Sequence, residues 1–273
     1  MNNRNQGTGL SIIALDTSTA AMAAAIVREG ELLGEISSLA ERNHSVHVVT
    51  HMKKLLQDAG MTRESLDAIV VGNGPGSYTG MRIAVTAAKT LAWAWKKPLA
   101  AVSSLEAVAY GAWNRGMELA QNRASLDSTE HWIIPIMDAR RGQVYCGMFT
   151  RNDREGWKRR LEDGVRLMEP FVDWLARELK DRKELGRLKI WLVGDLSLHM
   201  ESAKRLKTTA DEANVEAELY PYVLEGRYLA ELGERKLERE QTEDAHILVP
   251  NYTQLTEAEV KLKEKQTAGG NEA

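Results

Sequence analysis

The sequence predicts an α/β protein built as two related lobes, and three observations carry that reading. Ile12 to Val27 and Ile133 to Phe149 repeat one pattern, an apolar strand, an aspartate-bearing turn and a second strand, with Asp138 laid over Asp16. Asp67 to Pro98 reads as a short apolar strand, a loop of small residues and a long helix. A chain of 273 residues is also long enough to bury a separate core in each lobe.

In chain order, Leu10 to Leu15, Ala20 to Val27 and Leu32 to Leu39 alternate with turn residues and predict a three-stranded meander. From Ser45 to Ala59 the apolar residues recur at steps of three and four, with Gly60 as terminator, which predicts an amphipathic helix. Leu66 to Val71 is the next strand, Met81 to Trp95 a helix stopped before Pro98, Leu99 to Val102 a strand, and Ser104 to about Trp113 a helix. The polar stretch Asn114 to Glu130 reads as a helix end and lobe boundary. Beyond the repeated strand pair, Arg151 to Arg160 reads as a charged, solvated hairpin and Phe171 to Leu179 as a helix. Ile190 to Val193 and Leu219 to Val223 read as strands, Gly226 to Leu237 as a helix returning to the first lobe, and Ile247 to Tyr252 as a last extended segment. The Gly194-Asp195 turn suits either a nucleotide base or a plain turn.

Acids and bases nearly cancel, 39 against 36, so the total charge of −3 carries no signature of a nucleic-acid-binding domain, and any RNA contact is expected to be local or made by a partner. The single cysteine, Cys146, excludes an intramolecular disulfide and points to a reducing compartment and a buried thiol. Residues 1–9 lack the apolar run of a signal peptide, and no segment has the apolar length of a membrane span, so a cytoplasmic protein is expected.

Two stretches could carry function. Gly72, Gly74, Gly76 and Gly80 free the backbone before a helix start, and Ser77 and Thr79 offer caps there. Such a helix start favours anions. Asp16, Thr17 and Ser18 could hold a hydrated metal and a phosphate, or close an Asx-type turn. Together with Gly74, Gly76, Ser77, Thr79 and Gly80 they form the candidate phosphate site, for ATP or ADP with magnesium. The second stretch is the helix pair. The Met81 to Trp95 helix is apolar almost all round, as if covered on one side by its lobe and on the other by a partner. The candidate partner surface comprises His44, His47, Val48, His51 and Met52 of the first helix and Met81, Ala84, Val85, Ala88, Leu91, Ala92 and Trp95 of the second. The three histidines share a helical face, which suits a partner surface or a metal, although no carboxylate or cysteine cluster completes a metal site. Ala84 and Ala88 are the natural positions at which to test docking with arginine.

The stretches LDTSTAAMAAAIV, RNHS at Arg42 to Ser45, GNGPGSYTGMRIAVTAAKTLAWA, PLAAVSSLEAVA and MDARRGQVYCGMF resemble, in that order, the bacterial TsaB family, also called YeaZ. The resemblance implies the actin-like/hexokinase-like ATPase superfamily fold, with two ribonuclease-H-like lobes and the second reduced. It places residues 10–113 in the first lobe, completed by a returning segment of about 220–255, and 131–219 in the second, with 1–9 and 256–273 as tails. It further implies a non-catalytic partner of the paralogue TsaD, which transfers threonylcarbamoyl to a tRNA adenosine beside the anticodon, and of the ATPase TsaE. The same surface would form a homodimer when TsaD is absent, tRNA would be met only through the complex, and nucleotide would sit at the lobe junction or in the complex. Ser104 and Val108 stand where the paralogue has its metal-binding histidine pair, so no catalytic or metal residue is carried over. A phosphotransferase reading lacks a general base, and a peptidase reading lacks both metal pair and triad.

Overall fold

The computed structural model describes residues 9–19, 21–39, 44–119, 129–182 and 186–253. Strands β1 (Ser11–Asp16), β2 (Ala21–Arg28) and β3 (Glu31–Leu39) form an antiparallel meander, followed by α1 (His44–Asp58). Then come β4 (Ala68–Gly72), α2 (Tyr78–Trp95), β5 (Leu99–Val102) and α3 (Ser104–Leu119). The second half repeats this order with β6 (Glu130–Asp138), β7 (Gln143–Asn152), β8 (Gly156–Leu167), α4 (Met168–Asp181), β9 (Leu188–Gly194), α5 (Met200–Glu212), β10 (Glu216–Pro221) and α6 (Gly226–Glu238). The sheet orders β3-β2-β1-β4-β5 and β8-β7-β6-β9-β10 are the same topology, three antiparallel strands followed by two parallel ones. Asp16 and Asp138 therefore end the central strands of two equivalent sheets. This is a duplicated ribonuclease-H-like lobe, the architecture of the actin-like/hexokinase-like superfamily. The helices α4 and α5 are the shorter members of their pairs, at 14 and 13 residues against 15 and 18 for α1 and α2.

Five layers result from the period of two along each strand. On β1, Ile13 and Leu15 face outward to α1 and α2, packing with Val48, Met52, Leu55, Ala84, Val85 and Ala88. Ile12 and Ala14 face inward to a layer formed by α3 and α6, whose core includes Tyr228, Leu229 and Leu232 of α6 together with Ile133, Phe149 and Val193 of the second sheet. The far face of that sheet, with Trp132, Ile134 and the buried thiol of Cys146, is covered by α4 and α5. Both faces of each sheet are thus covered, which is why β1 and β2 read as continuous apolar runs.

The inner layer exchanges helices between lobes. α3 follows the first sheet yet packs on β6, β7 and β9, and α6 follows the second sheet yet packs on β1 and β2. Its glycines allow the approach: a Cβ at Gly233 would lie 2.2 Å from Cγ2 of Val70, and one at Gly226 would lie 2.5 Å from the Ala24 carbonyl carbon. In the same layer burial lowers the His131 pKa to about 4, and its neutral Nδ1 accepts from Nε1 of Trp191 at 3.0 Å.

Four elements differ from the sequence expectation. The stretch expected as a solvated hairpin runs into β8, whose Trp157 stacks on Phe149 at 5.4 Å and whose Arg159 pairs with Glu106 at 3.0 Å. α3 continues to Leu119 because Trp113 and Gly116 bury against the second sheet. α5 has a faint sequence signal because its buried side is only Ser202, Ala203, Leu206 and Ala210 in a charged context. Ile247 to Tyr252 is irregular: Leu248 enters the outer core of the first lobe, while Ile247 and Val249 are exposed. The expectations for residues 1–8 and 256–273 lie outside the described residues. Replacing Gly233 by Leu is expected to lower unfolding stability by about 1–3 kcal/mol through overpacking against Val70. Urea denaturation with an unchanged midpoint would contradict the close α6 contact.

Candidate partner-docking face

The end of β1 is a polar knot inside the protein. Asp16 is wholly buried, and its Oδ1 accepts from the backbone N–H and the Oγ of Ser18, both at 2.6 Å. That is the Asx-type turn among the sequence alternatives. Its Oδ2 accepts from Oγ of Ser104 at 2.5 Å, and that Oγ accepts from the N–H of Gly74 at 3.0 Å. The neighbouring Ser103 serves the other lobe. Its Oγ caps α3 by accepting from the Glu106 N–H at 3.0 Å and donates to Oδ2 of Asp163 on β8 at 2.6 Å. Arg159 holds both Asp163 and Glu106. Burial pushes the Asp16 carboxyl above the usual carboxylate range, and the Ser104 and Ser18 hydrogen bonds pull it partly back.

The glycine loop closes on this turn. Thr17 Oγ1 donates to the Gly80 carbonyl at 2.6 Å, and the Ser77 N–H donates to the Ser18 carbonyl at 2.8 Å. A Cβ on Gly72, Gly76 or Gly80 would stand 1.7, 2.4 or 1.8 Å from an oxygen of Asp16, Ser18 or Thr17 respectively. These three glycines are needed for smallness, and of the four only Gly74 has positive φ, +98°. Ser77 is the helix cap, accepting from the Gly80 N–H, while Thr79 lies exposed in the first turn. The candidate phosphate site of Asp16, Thr17, Ser18, Gly74, Gly76, Ser77, Thr79 and Gly80 is thus corrected. Its space is filled by the chain itself, and both carboxylate oxygens of Asp16 are committed, so these residues do not fit a magnesium-bound phosphate. In the second sheet, Asp138 pairs with His199 at 3.0 Å, and the Gly194 carbonyl accepts from the Tyr222 N–H at 3.1 Å, which continues the β9–β10 ladder. No group of three or more metal-binding side chains exists among the described residues.

The helix pair resolves into two faces. Val48, Met52, Ala84, Val85, Ala88 and Ala92 are at most 3% exposed and pack in the core on the first sheet, and Met81, also 3% exposed, is buried against Gly74, so they are core rather than partner surface. Arginine at Ala84 or Ala88 would therefore test the fold and not docking. Leu91 and Trp95 are half-buried. His51 turns its Nδ1 to Sδ of Met22 at 3.3 Å, and the side chains of His44 and His47 lie outside the described residues.

What α1 and α2 leave open is a groove of about 530 Å3, lined by Val48, Val49, Tyr78, Thr79, Arg82, Ile83, Thr86, Ala87, Thr90 and Leu91. The Ile83, Ala87, Leu91 stripe lies about 100° round the helix from the Ala84, Ala88, Ala92 stripe, half-buried at the edge of the same core, a division the spacing contains once the small residues are taken as the sheet-facing side. At one end Arg82 stacks on Tyr78 at 4.1 Å, and its Nε donates to Oη of Tyr252 at 3.0 Å. The chain beyond α6 brings Tyr252 there. The Asn251 N–H donates to the Asn73 carbonyl at 2.7 Å, and Nζ of Lys89 donates to the Leu248 carbonyl at 2.6 Å.

Fold and site define a two-lobed protein of the actin-like/hexokinase-like class whose first phosphate loop is packed shut and whose outer helix pair presents an apolar groove. A family model described as TsaD, tRNA N6-adenosine threonylcarbamoyltransferase, matches residues 31–262. The tRNA threonylcarbamoyladenosine biosynthesis protein TsaB of Bacillus subtilis (strain 168) is 37% identical over 257 residues, 94% of this chain and 100% of that protein. Its counterpart in Escherichia coli (strain K12) is 30% identical over 148 residues, 54% of this chain and 58% of that one. The structure of YeaZ from Pseudomonas aeruginosa shares the fold, with a TM-score of 0.63 at 22% identity over 89% of this chain and 99% of that one. The chain belongs to the TsaB family. No helix among the described residues is long and apolar enough to cross a membrane.

Asp16 also sets a pH dependence. A folded-state pKa raised above the unfolded value contributes stability that is fully present below the unfolded pKa and is lost as pH rises through the folded one. Ser104→Ala removes a donor that favours the charged form. It is expected to cost about 1–3 kcal/mol near neutral pH and less in mild acid, where Asp16 takes up a proton. Urea denaturation of both proteins across that range checks this, and a loss independent of pH would contradict it.

Proposed function

We propose that this chain is the non-catalytic subunit of the bacterial machinery that makes threonylcarbamoyladenosine in tRNA, and that it docks a TsaD-type paralogue through the α1–α2 groove. The observation that carries the docking reading is the groove itself, with Val49 at 62% and Tyr78 at 43% exposure beside half-buried Ile83, Ala87 and Leu91. Apolar area of this kind, edged by tyrosine and arginine, has the make-up of an interface core. The absence of chemistry in this subunit has its own support: Asp16 is consumed by internal hydrogen bonds, and Ser104 and Val108 are buried in the lobe, with Ser104 bonded to Asp16. Transfer of the threonylcarbamoyl group is then the paralogue's, the ATPase TsaE joins as a third component, and tRNA is met through the complex in the cytoplasm. The same groove serves a homodimer when the paralogue is missing.

Ile83→Arg puts a charge into the groove at a half-buried position. It is expected to abolish co-elution with the TsaD-type paralogue on size exclusion while leaving the thermal midpoint unchanged, and depleting the protein should remove threonylcarbamoyladenosine from tRNA. A complex that survives Ile83→Arg would sink the surface assignment, and modification that persists after depletion would sink the functional one.

A further inference from the structure

The docking groove carries a charge pattern that bears on which partner it accepts, an inference that rests on the docking reading above. The charged residues of α1 and α2 are Lys53, Lys54, Arg82 and Lys89 against the single acid Asp58. Arg82 lines the groove. Its hydrogen bond goes to a phenol, through Nε alone, which leaves both terminal nitrogens of its guanidinium available, and among the described residues the groups that act on it are Tyr252 and Tyr78, with no carboxylate. Lys53 lies one helical turn from Val49, on the stripe that edges the groove, and is exposed. Asp58 is five residues past Lys53 and falls on a different side of α1. Lys89 is bonded to backbone carbonyls, which leaves its charge in place. The groove is therefore apolar along its length and cationic at its borders.

A twofold contact between two copies sets the same patch against itself. Arg82 and Lys53 of one copy would then face the cationic border of the other, with no carboxylate among the groove-lining residues of either copy to meet them. Like charges brought together at an interface oppose association, whereas a guanidinium with two unused donors suits a bidentate carboxylate.

We infer that Arg82, supported by Lys53, is the element that selects a different chain over a second copy, and that the preferred occupant is a helical surface bringing an acidic side chain to the Arg82 end of the groove. Tyr78 and Tyr252, whose rings lie 5.4 Å apart, hold the guanidinium between a face contact at 4.1 Å and the hydrogen bond to the Tyr252 Oη, so the segment after α6 takes part in this selection. The two modes of association then respond to salt with opposite sign. Screening weakens the attraction in the mixed complex and relieves the repulsion in the self-complex.

The test uses the full-length protein and its purified TsaD-type paralogue, with mixed and self-association constants measured by sedimentation at about 50 mM and about 500 mM NaCl. The mixed complex is expected to weaken with salt, while the weaker self-association strengthens. Arg82→Glu should weaken the mixed complex at least about tenfold and flatten its salt dependence, with no loss of self-association. A mixed complex as tight with Arg82→Glu as without it, or two salt dependences of the same sign, would overturn the inference while leaving the docking groove standing. Survival of the mixed complex in Ile83→Arg would instead remove the groove as docking site, and the inference with it. Unchanged circular dichroism of Arg82→Glu confirms that the exposed substitution reports on binding.

Discussion

A carboxylate buried with no cation beside it is the constraint around which the first lobe is arranged. Leaving Asp16 in the interior is costly unless its oxygens are satisfied, and the donors come from separate parts of the chain: Ser18 in its own turn and Ser104 at the start of α3, itself held by the Gly74 N–H. Meeting that need draws β1, the glycine loop and α3 to one point. The loop must then run directly over the Asp16–Ser18 turn, and only glycine fits at positions 72, 76 and 80. A composition suited to cradling phosphate is here a consequence of close packing. The two uses share a residue pattern and differ in whether the hollow is already filled.

Much of the architecture was legible because both sheets are covered on both faces. Continuous apolar runs ending in Asp16 and Asp138 mark the central strands, and glycine loop and proline bracket α2. The orientation of α2 was not legible. Its sheet-facing side is Met81, Ala84, Val85, Ala88 and Ala92 and its open side includes Ile83, Ala87 and Leu91, so hydrophobicity alone does not rank the two. Size does, because the helix approaches the sheet most closely through alanine. β8 was obscured for a different reason: its charged residues enter ion pairs, Arg159 with Glu106 of α3 and Arg160 with Glu130 of β6 and Glu178 of α4. Charge read along the chain suggests solvent, whereas charge paired across lobes builds structure. The contribution of Tyr252 to the groove depends on a long-range return of the chain that no local pattern encodes.

The two neighbouring serines at the α3 start give the lobes a common anchor, Ser104 to Asp16 in the first and Ser103 to Asp163 in the second. A two-lobed protein that closes around a ligand needs a hinge at which the lobes can turn relative to one another. Here the anchor sits at the junction itself and joins both lobes to one helix end. The duplicated fold thus meets at one helix end, where adjacent serines bond to a carboxylate of each lobe.

The exchange of α3 and α6 between lobes bears on how the chain is made. Synthesis delivers the first sheet early, but the helix that covers its inner face is α6, Gly226–Glu238, encoded near the other end. Until that helix emerges, the inner side of β1, β2 and β4 has no permanent cover. The first lobe therefore reaches its native core only after the second has been synthesised, and the two lobes mature as one unit although the duplicated topology divides them in two.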